Sequence, residues 1–120
     1  MFDKLQQYKM DLYHVEDEKP VKLEESEYGH FYSDDLYIID LQGKKHRYVL
    51  MWMGPKLNSL ELSHTTKYMD IITNYENSSN ITRTRVRKGH EEESLLSLFP
   101  NGFVIHQGKH RPNNQKINEV

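Results

Sequence analysis

The sequence predicts one domain of the α/β (α+β) class, and three observations carry that reading. Two apolar strands, Leu36 to Leu41 and His46 to Met53, are joined through Gln42-Gly43-Lys44-Lys45, a polar turn containing glycine. A long amphipathic stretch then opens at Asn58 or Ser59, either of which supplies an N-cap, and runs to about Tyr75. Finally a strand (Ile81 to Lys88), a helix (Glu91 to Phe99) and a last strand (Phe103 to His106) follow in alternation.

The flanking elements are read on the same terms. Residues 1–10 form a polar leader or a short helix. Asp11 to Val15 and Val21 to Glu24 read as short strands around the turn Asp17-Glu18-Lys19-Pro20. The folded unit spans residues 11–108. Residues 109–120 carry one Pro and three Asn among charged side chains, which predicts a flexible polar tail.

Composition excludes several function classes. The chain has 120 residues, the size of a single hydrophobic core, and no apolar run long enough to span a membrane. Residues 1–10 hold charges and glutamines where a secretory signal needs an apolar stretch. The absence of cysteine rules out disulfides and thiolate zinc sites, and suits a reducing compartment. Sequons at Asn77 and Asn80 matter only in a secreted protein. With 16 basic against 18 acidic residues there is no overall pull toward nucleic acid. No glycine-rich phosphate loop and no nucleophile–base pair is legible, so the chain is not expected to be an enzyme.

Two features stand out as chemistry. The doublet Asp34-Asp35 stands directly in front of the strand Leu36-Tyr37-Ile38-Ile39, and a carboxylate at the mouth of a buried strand is costly unless something positive holds it. The second is Glu61. At about 100° per residue around Tyr68, the residues Leu57, Glu61, His64, Ile72 and Tyr75 fall within about 40° of the centre of the helix stripe, with Ile71 at its edge. Glu61 thus sits on the buried face, at the end nearest the strand mouths. It either pairs with Lys or Arg, or caps the first turn, or ligates a cation. Oxygen ligands from a strand mouth and a helix first turn are what a hard cation such as calcium takes.

At these residues the chain resembles the gelsolin/villin/severin family. The pieces, in order, are Tyr13-His14-Val15, Gly29 through Ile39, Trp52-Met53-Gly54, Glu61, Val86 through Glu91, Leu95 through Phe99, and Phe103-Val104-Ile105. Together they cover roughly Tyr13 to Gly108. The resemblance implies a gelsolin-like domain, a central mixed five-stranded sheet sandwiched between one long and one short helix.

The resemblance also implies a calcium ion inside the domain. Asp35 gives a side-chain oxygen, Asp34 its main-chain carbonyl, Glu61 two carboxylate oxygens, and His110 a carbonyl. The family more often has Gly-Asp where this chain has Asp34-Asp35, so Asp34 also adds charge or faces solvent. A second family calcium site, at the actin interface, would need an acidic residue where this chain has neutral Thr73.

Actin is bound in the family by the exposed flank of the long helix. The matching positions are Ser63, Lys67, Asp70, Ile71 and Asn74. First-domain members are apolar at two of these, where Lys67 and Asp70 stand, leaving Ile71 as the apolar anchor. The implied function is calcium-linked actin regulation, by monomer sequestering, capping or weak severing, by a cytoplasmic monomer of the cytoskeleton. Two alternatives remain: an interaction module without actin binding, and a binder of phosphoinositide surfaces.

The last of these rests on Arg83, Arg85 and Arg87, which alternate along a strand and so share a face, together with Lys109 and Arg111. The same arginines equally pair with Glu91, Glu92 and Glu93. His106 and His110 have the i, i+4 spacing of zinc ligands, but a strand ending near Gly108 denies them the helix that this spacing needs.

Overall fold

The computed structural model describes residues 8–16, 18–54, 65–74, 80–87, 96, 98, 99 and 102–108. Its main sheet contains β1 (Lys9–Glu16), β2 (Lys19–Lys22), β4 (Leu36–Gln42), β5 (Arg47–Met53) and β6 (Ile81–Arg87), in the order β2-β1-β4-β5-β6. All pairings are antiparallel except β5–β6, which is parallel. A parallel pair needs a long crossover, and the chain between β5 and β6 carries the helix α1 (Thr65–Ile72). A second sheet has two parallel strands, β3 (His30–Tyr32) and β7 (Val104–His106).

β4 and β5 are apolar on both faces because both are covered. One face packs Leu36, Ile38, Val49, Met51 and Met53 against Tyr68 and Met69 of α1. The other packs Leu12, Tyr37, Ile39, Leu41, Leu50 and Trp52 against Leu23, Phe31 and Phe99. Phe31 is the hub of that second layer, with its ring centroid 4.7 Å from Tyr37, 5.0 Å from Trp52 and 4.7 Å from Phe103. Offset and edge-on aromatic contacts of this kind stabilise beyond their area. The edge strand β2 is Lys19-Pro20-Val21-Lys22, whose proline and lysines discourage further pairing.

Several boundaries differ from expectation. β2 starts at Lys19 rather than Val21, because Glu18 takes a positive φ of 62° and closes a two-residue hairpin between Glu16 and Lys19. β3 was not anticipated: it has three residues and lies between two turns. The helix ends at Ile72, not Tyr75. Asn74 adopts φ 55° and its N–H donates to the Ile71 carbonyl, the left-handed stop that asparagine tolerates. The expected second helix falls outside the described residues apart from Leu96, Leu98 and Phe99.

The helix stripe is also turned from its predicted centre. Met69 is as deeply buried as Tyr68, and Thr73 is buried too. The Thr73 hydroxyl reaches the Met69 and Asp70 carbonyls and accepts from Arg83 Nη2. Thr73 is therefore an internal residue, and the position is closed to an interfacial cation.

Asp40, in the middle of β4, is fully buried, a feature that apolar patterning did not reveal. Arg47 grips it with two bonds of 2.8 Å, from Nε and Nη2, and Gln42 Nε2 adds a third of 2.8 Å. Arg47 Nη2 also donates to the Ile72 carbonyl at the end of α1. Asp11, directly opposite Asp40 on β1, is held by Lys22 Nζ at 3.2 Å. Burial, followed by these two carboxylates, pushes the neighbouring Tyr13 phenol above its ordinary range. Removing Arg47 would strand a buried charge, which costs about 3–5 kcal/mol. Arg47→Ala is expected to lose stability of that order in urea unfolding, and Arg47→Met combined with Asp40→Leu to recover most of it.

Candidate functional site

The turn into β4 is built by contacts from three directions. The Asp35 N–H donates to the Tyr32 carbonyl, and the Gly54 N–H donates to the Asp35 carbonyl at 3.0 Å. From the other side, Ser33 N–H donates to the His106 carbonyl and Asp34 N–H to the Gly108 carbonyl. Gly108 N–H closes the loop onto Ser33 Oγ at 3.0 Å. The Ser33 hydroxyl in turn donates to Asp34 Oδ1 at 3.1 Å.

Gly54 explains why a glycine ends β5. A Cβ there would lie 2.2 Å from the Ser33 carbonyl oxygen and 2.6 Å from its carbon. Only glycine lets the strand end press against the Ser33–Asp35 turn. Gly29 serves similarly at the start of β3: φ is +92°, and a Cβ would lie 2.2 Å from the Gly102 carbonyl oxygen. The two glycines of the sequence motif fix the approach to β4 at both of its ends.

Asp35 is buried, and His14 Nε2 stands 3.2 Å from its Oδ2. His14 is buried as well, and its ring lies 5.4 Å from that of Tyr37, its cross-strand partner. Burial first, and then the Asp35 charge, push the Tyr37 phenol well above its ordinary range, so it stays a neutral hydroxyl. The polar neighbour that a buried Asp35 needs is thus supplied in part by the His14 imidazole. The sequence offered one signal for it: β1 alternates, and His14 shares the inward row with Leu12.

The remaining predicted residues divide by location. Lys67, Ile71 and Asn74 are exposed on the helix flank and its stop, with Ile71 showing 37% of its surface. Asp70 is half-buried, with its Oδ1 3.8 Å from Arg83 Nε. Arg85 Nη2 donates to Thr66 Oγ1 at 2.6 Å. Arg83 and Arg85 of β6 therefore reach α1 and the residue that follows it, while Glu91, Glu92 and Glu93 lie outside the described residues. The Arg87 side chain, Glu61, Ser63, Lys109, His110 and Arg111 lie outside what is described.

No family model matches the chain. Over 105 residues it is 26% identical to Villidin of Dictyostelium discoideum, covering 85% of this chain and 6% of that protein. Over 103 residues it is 24% identical to Advillin of Mus musculus, covering 82% and 12%. The crystal structure of the Thorarchaeota 2DGel3/rabbit actin complex matches its fold with a TM-score of 0.62 at 18% identity, over 90% of this chain and 54% of that one. The chain has a gelsolin-like α/β fold. It spans only a small part of the curated relatives. Its sheet order, the glycine-fixed turn at Asp34-Asp35 and the helix over β5 are the parts of the gelsolin-like fold on which a function can be placed. Among the described residues no three His, Cys, Asp or Glu side chains cluster as a metal site.

Proposed function

We propose that this gelsolin-like domain binds actin through the exposed flank of α1, in a calcium-linked manner. The observation that carries the reading is Ile71. Tyr68 and Met69 on the inward side of the helix are 2% exposed, yet Ile71 stays 37% exposed on the same helix as the exposed Lys67. An apolar side chain left outside a helix whose buried side is already filled is suited to a partner. The partner suggested is actin, because a structure of the same fold is an actin complex. Ser63, Lys67, Asp70 and Asn74 would form the polar rim around Ile71.

Calcium fits the donor chemistry at the β4 mouth. The Asp35 carboxylate and the Asp34 carbonyl are hard oxygens, and Asp35 is buried with His14 Nε2 3.2 Å from its Oδ2. In this reading Glu61 and the His110 carbonyl complete the set. A bound calcium ion would supply charge neutralisation that ties the strand mouth to the helix. Asp35 would hold the ion through its carboxylate, and the turn braced by Gly54 would present the Asp34 carbonyl.

A phosphoinositide surface is less favoured, because Arg83 and Arg85 are already engaged with α1. A module that has lost actin is separated by co-sedimentation with actin filaments, and by monomer binding, in calcium and in chelator. Absence of binding in both conditions would leave the interaction-module reading.

Three outcomes are expected. Calcium raises the melting temperature, by about 2.7 kcal/mol of added stability at a hundredfold excess over Kd. Asp35→Ala or Glu61→Gln removes that increment, and an equal increment in all three proteins would dismiss the site. Ile71→Asp weakens actin binding by about tenfold or more, while stability changes by about 0.5 kcal/mol or less, since the side chain is on the surface. Unaltered binding would put actin on another face. Last, one domain with one helix flank has no second surface to hold a filament side while a wedge is driven in. Monomer binding or end capping is therefore expected without severing, unless a linked domain adds avidity. Time-resolved imaging of labelled filaments checks this, and rapid breaks along their length would refute it.

A further inference from the structure

The small sheet presents an imidazole pair that the proposed function does not use. Phe31 and Ile105 face the core, so alternation turns His30, Val104 and His106 to the outer face, with Tyr32 at its margin still touching the core. Parallel register sets His30 opposite Val104, so His106 lies one step diagonal to it. His30 Nδ1 and His106 Nε2 are 3.0 Å apart, with the rings 14° from coplanar. The Tyr32 ring stacks on His106 at 4.8 Å and 30°, which orients that imidazole, while His30 is exposed.

We propose that His30 and His106 form a two-nitrogen chelating site for a borderline divalent transition metal such as nickel(II) or copper(II). Two imidazole nitrogens bound at about 2.05 Å lie about 2.9 Å apart at a right angle and about 3.3 Å apart at the tetrahedral angle. The observed 3.0 Å matches the right-angled edge of a tetragonal or octahedral metal better than that of zinc. The metal would stand about 1.4 Å off the line between the nitrogens, reached when the rings turn by about 40°. His30, the more exposed of the two, makes most of that turn.

The proton balance closes. Of the two facing nitrogens one carries the shared hydrogen, and a metal needs both lone pairs. That ring changes tautomer, losing its hydrogen at the facing nitrogen and gaining one at the other, with no net proton taken up or released by the neutral pair. Among the described residues no third His, Cys, Asp or Glu joins the pair, so water fills the remaining positions. The site is chemically separate from the oxygen donors at Asp34 and Asp35: nitrogen ligands select transition metals, and carboxylate and carbonyl oxygens select calcium.

Nickel chloride titration of the full chain by calorimetry tests it, in the presence of saturating calcium. Wild type is expected to bind one nickel ion, and His30→Gln and His106→Gln each to lose affinity tenfold or more. In NMR spectra, paramagnetic broadening should centre on Tyr32 and Val104, leaving Tyr68 and Met69 of α1 sharp. Asp35→Ala should bind nickel like wild type. Equal affinity in wild type and both histidine variants, no binding by wild type, or broadening centred elsewhere would each overturn the proposal. Thermal melts of the two glutamine variants establish that they are folded. Should either unfold, the broadening pattern in wild type decides alone.

Discussion

The Asp40–Arg47 pair is the constraint on which the rest of the fold depends. A carboxylate at the centre of a five-stranded sheet, fully buried and directly opposite a second carboxylate on β1, has no place there unless neutralised. Arg47 is half-buried and meets Asp40 through both arms of its guanidinium. It then spends a further N–H on the last carbonyl of α1, a group that a helix end leaves without an internal partner. One side chain therefore fixes the β4–β5 register, satisfies a buried charge and sets where the helix finishes over the sheet. A purely apolar core would give none of that positional information, since hydrophobic burial is non-directional.

Much of this was legible in the sequence and some was not, for identifiable reasons. The β4–β5 hairpin was plain because both strands are apolar on both faces and the connection is a polar turn with glycine. β3 was hidden: His30-Phe31-Tyr32 is too short to show a period, and only its pairing with β7 makes it a strand. The buried stripe of α1 was placed about Tyr68, but the left-handed Asn74 cuts the helix short, and the hydroxyl of Thr73 makes that polar residue tolerable inside. Asp40 went unnoticed because one polar residue in a strand reads as an outward position. Nothing in spacing reveals that Arg47, seven residues on, folds back over it.

The site shows the same division. Asp34 and Asp35 stand out by their position before an apolar strand, and Gly54 only as the end of the Trp52-Met53-Gly54 piece; the close approach that Gly54 permits is visible in the structure alone. His14 was missed as a partner of Asp35 because the two come from different strands, and a histidine in a strand carries no signal of what it faces. The alternation of the arginines in β6 predicts one row, and Arg83 and Arg85 do share a face. Their direction depended on which face α1 covers, and that is a property of the crossover rather than of the strand.

The turn at Ser33–Asp35 is tied to four elements at once: to Tyr32 at the end of β3, to β4 by continuity, to Gly54 at the end of β5, and to the His106–Gly108 segment after β7. Both sheets therefore converge on the carboxylates. Asp35 lies beside His14 of β1 and raises the Tyr37 phenol of β4, while Ser33 and Asp34 tie the same turn to the segment after β7. The helix flank is linked more loosely, through Arg83 to Asp70 and Thr73 and through Arg47 to Ile72. The described contacts thus brace the strand mouth from several elements and hold α1 at Thr66, through the packing of Tyr68 and Met69, and at Ile72. In the proposed calcium reading, an ion joining the mouth to the helix would add one more tie and so would couple the carboxylates to the outer flank that carries Ile71.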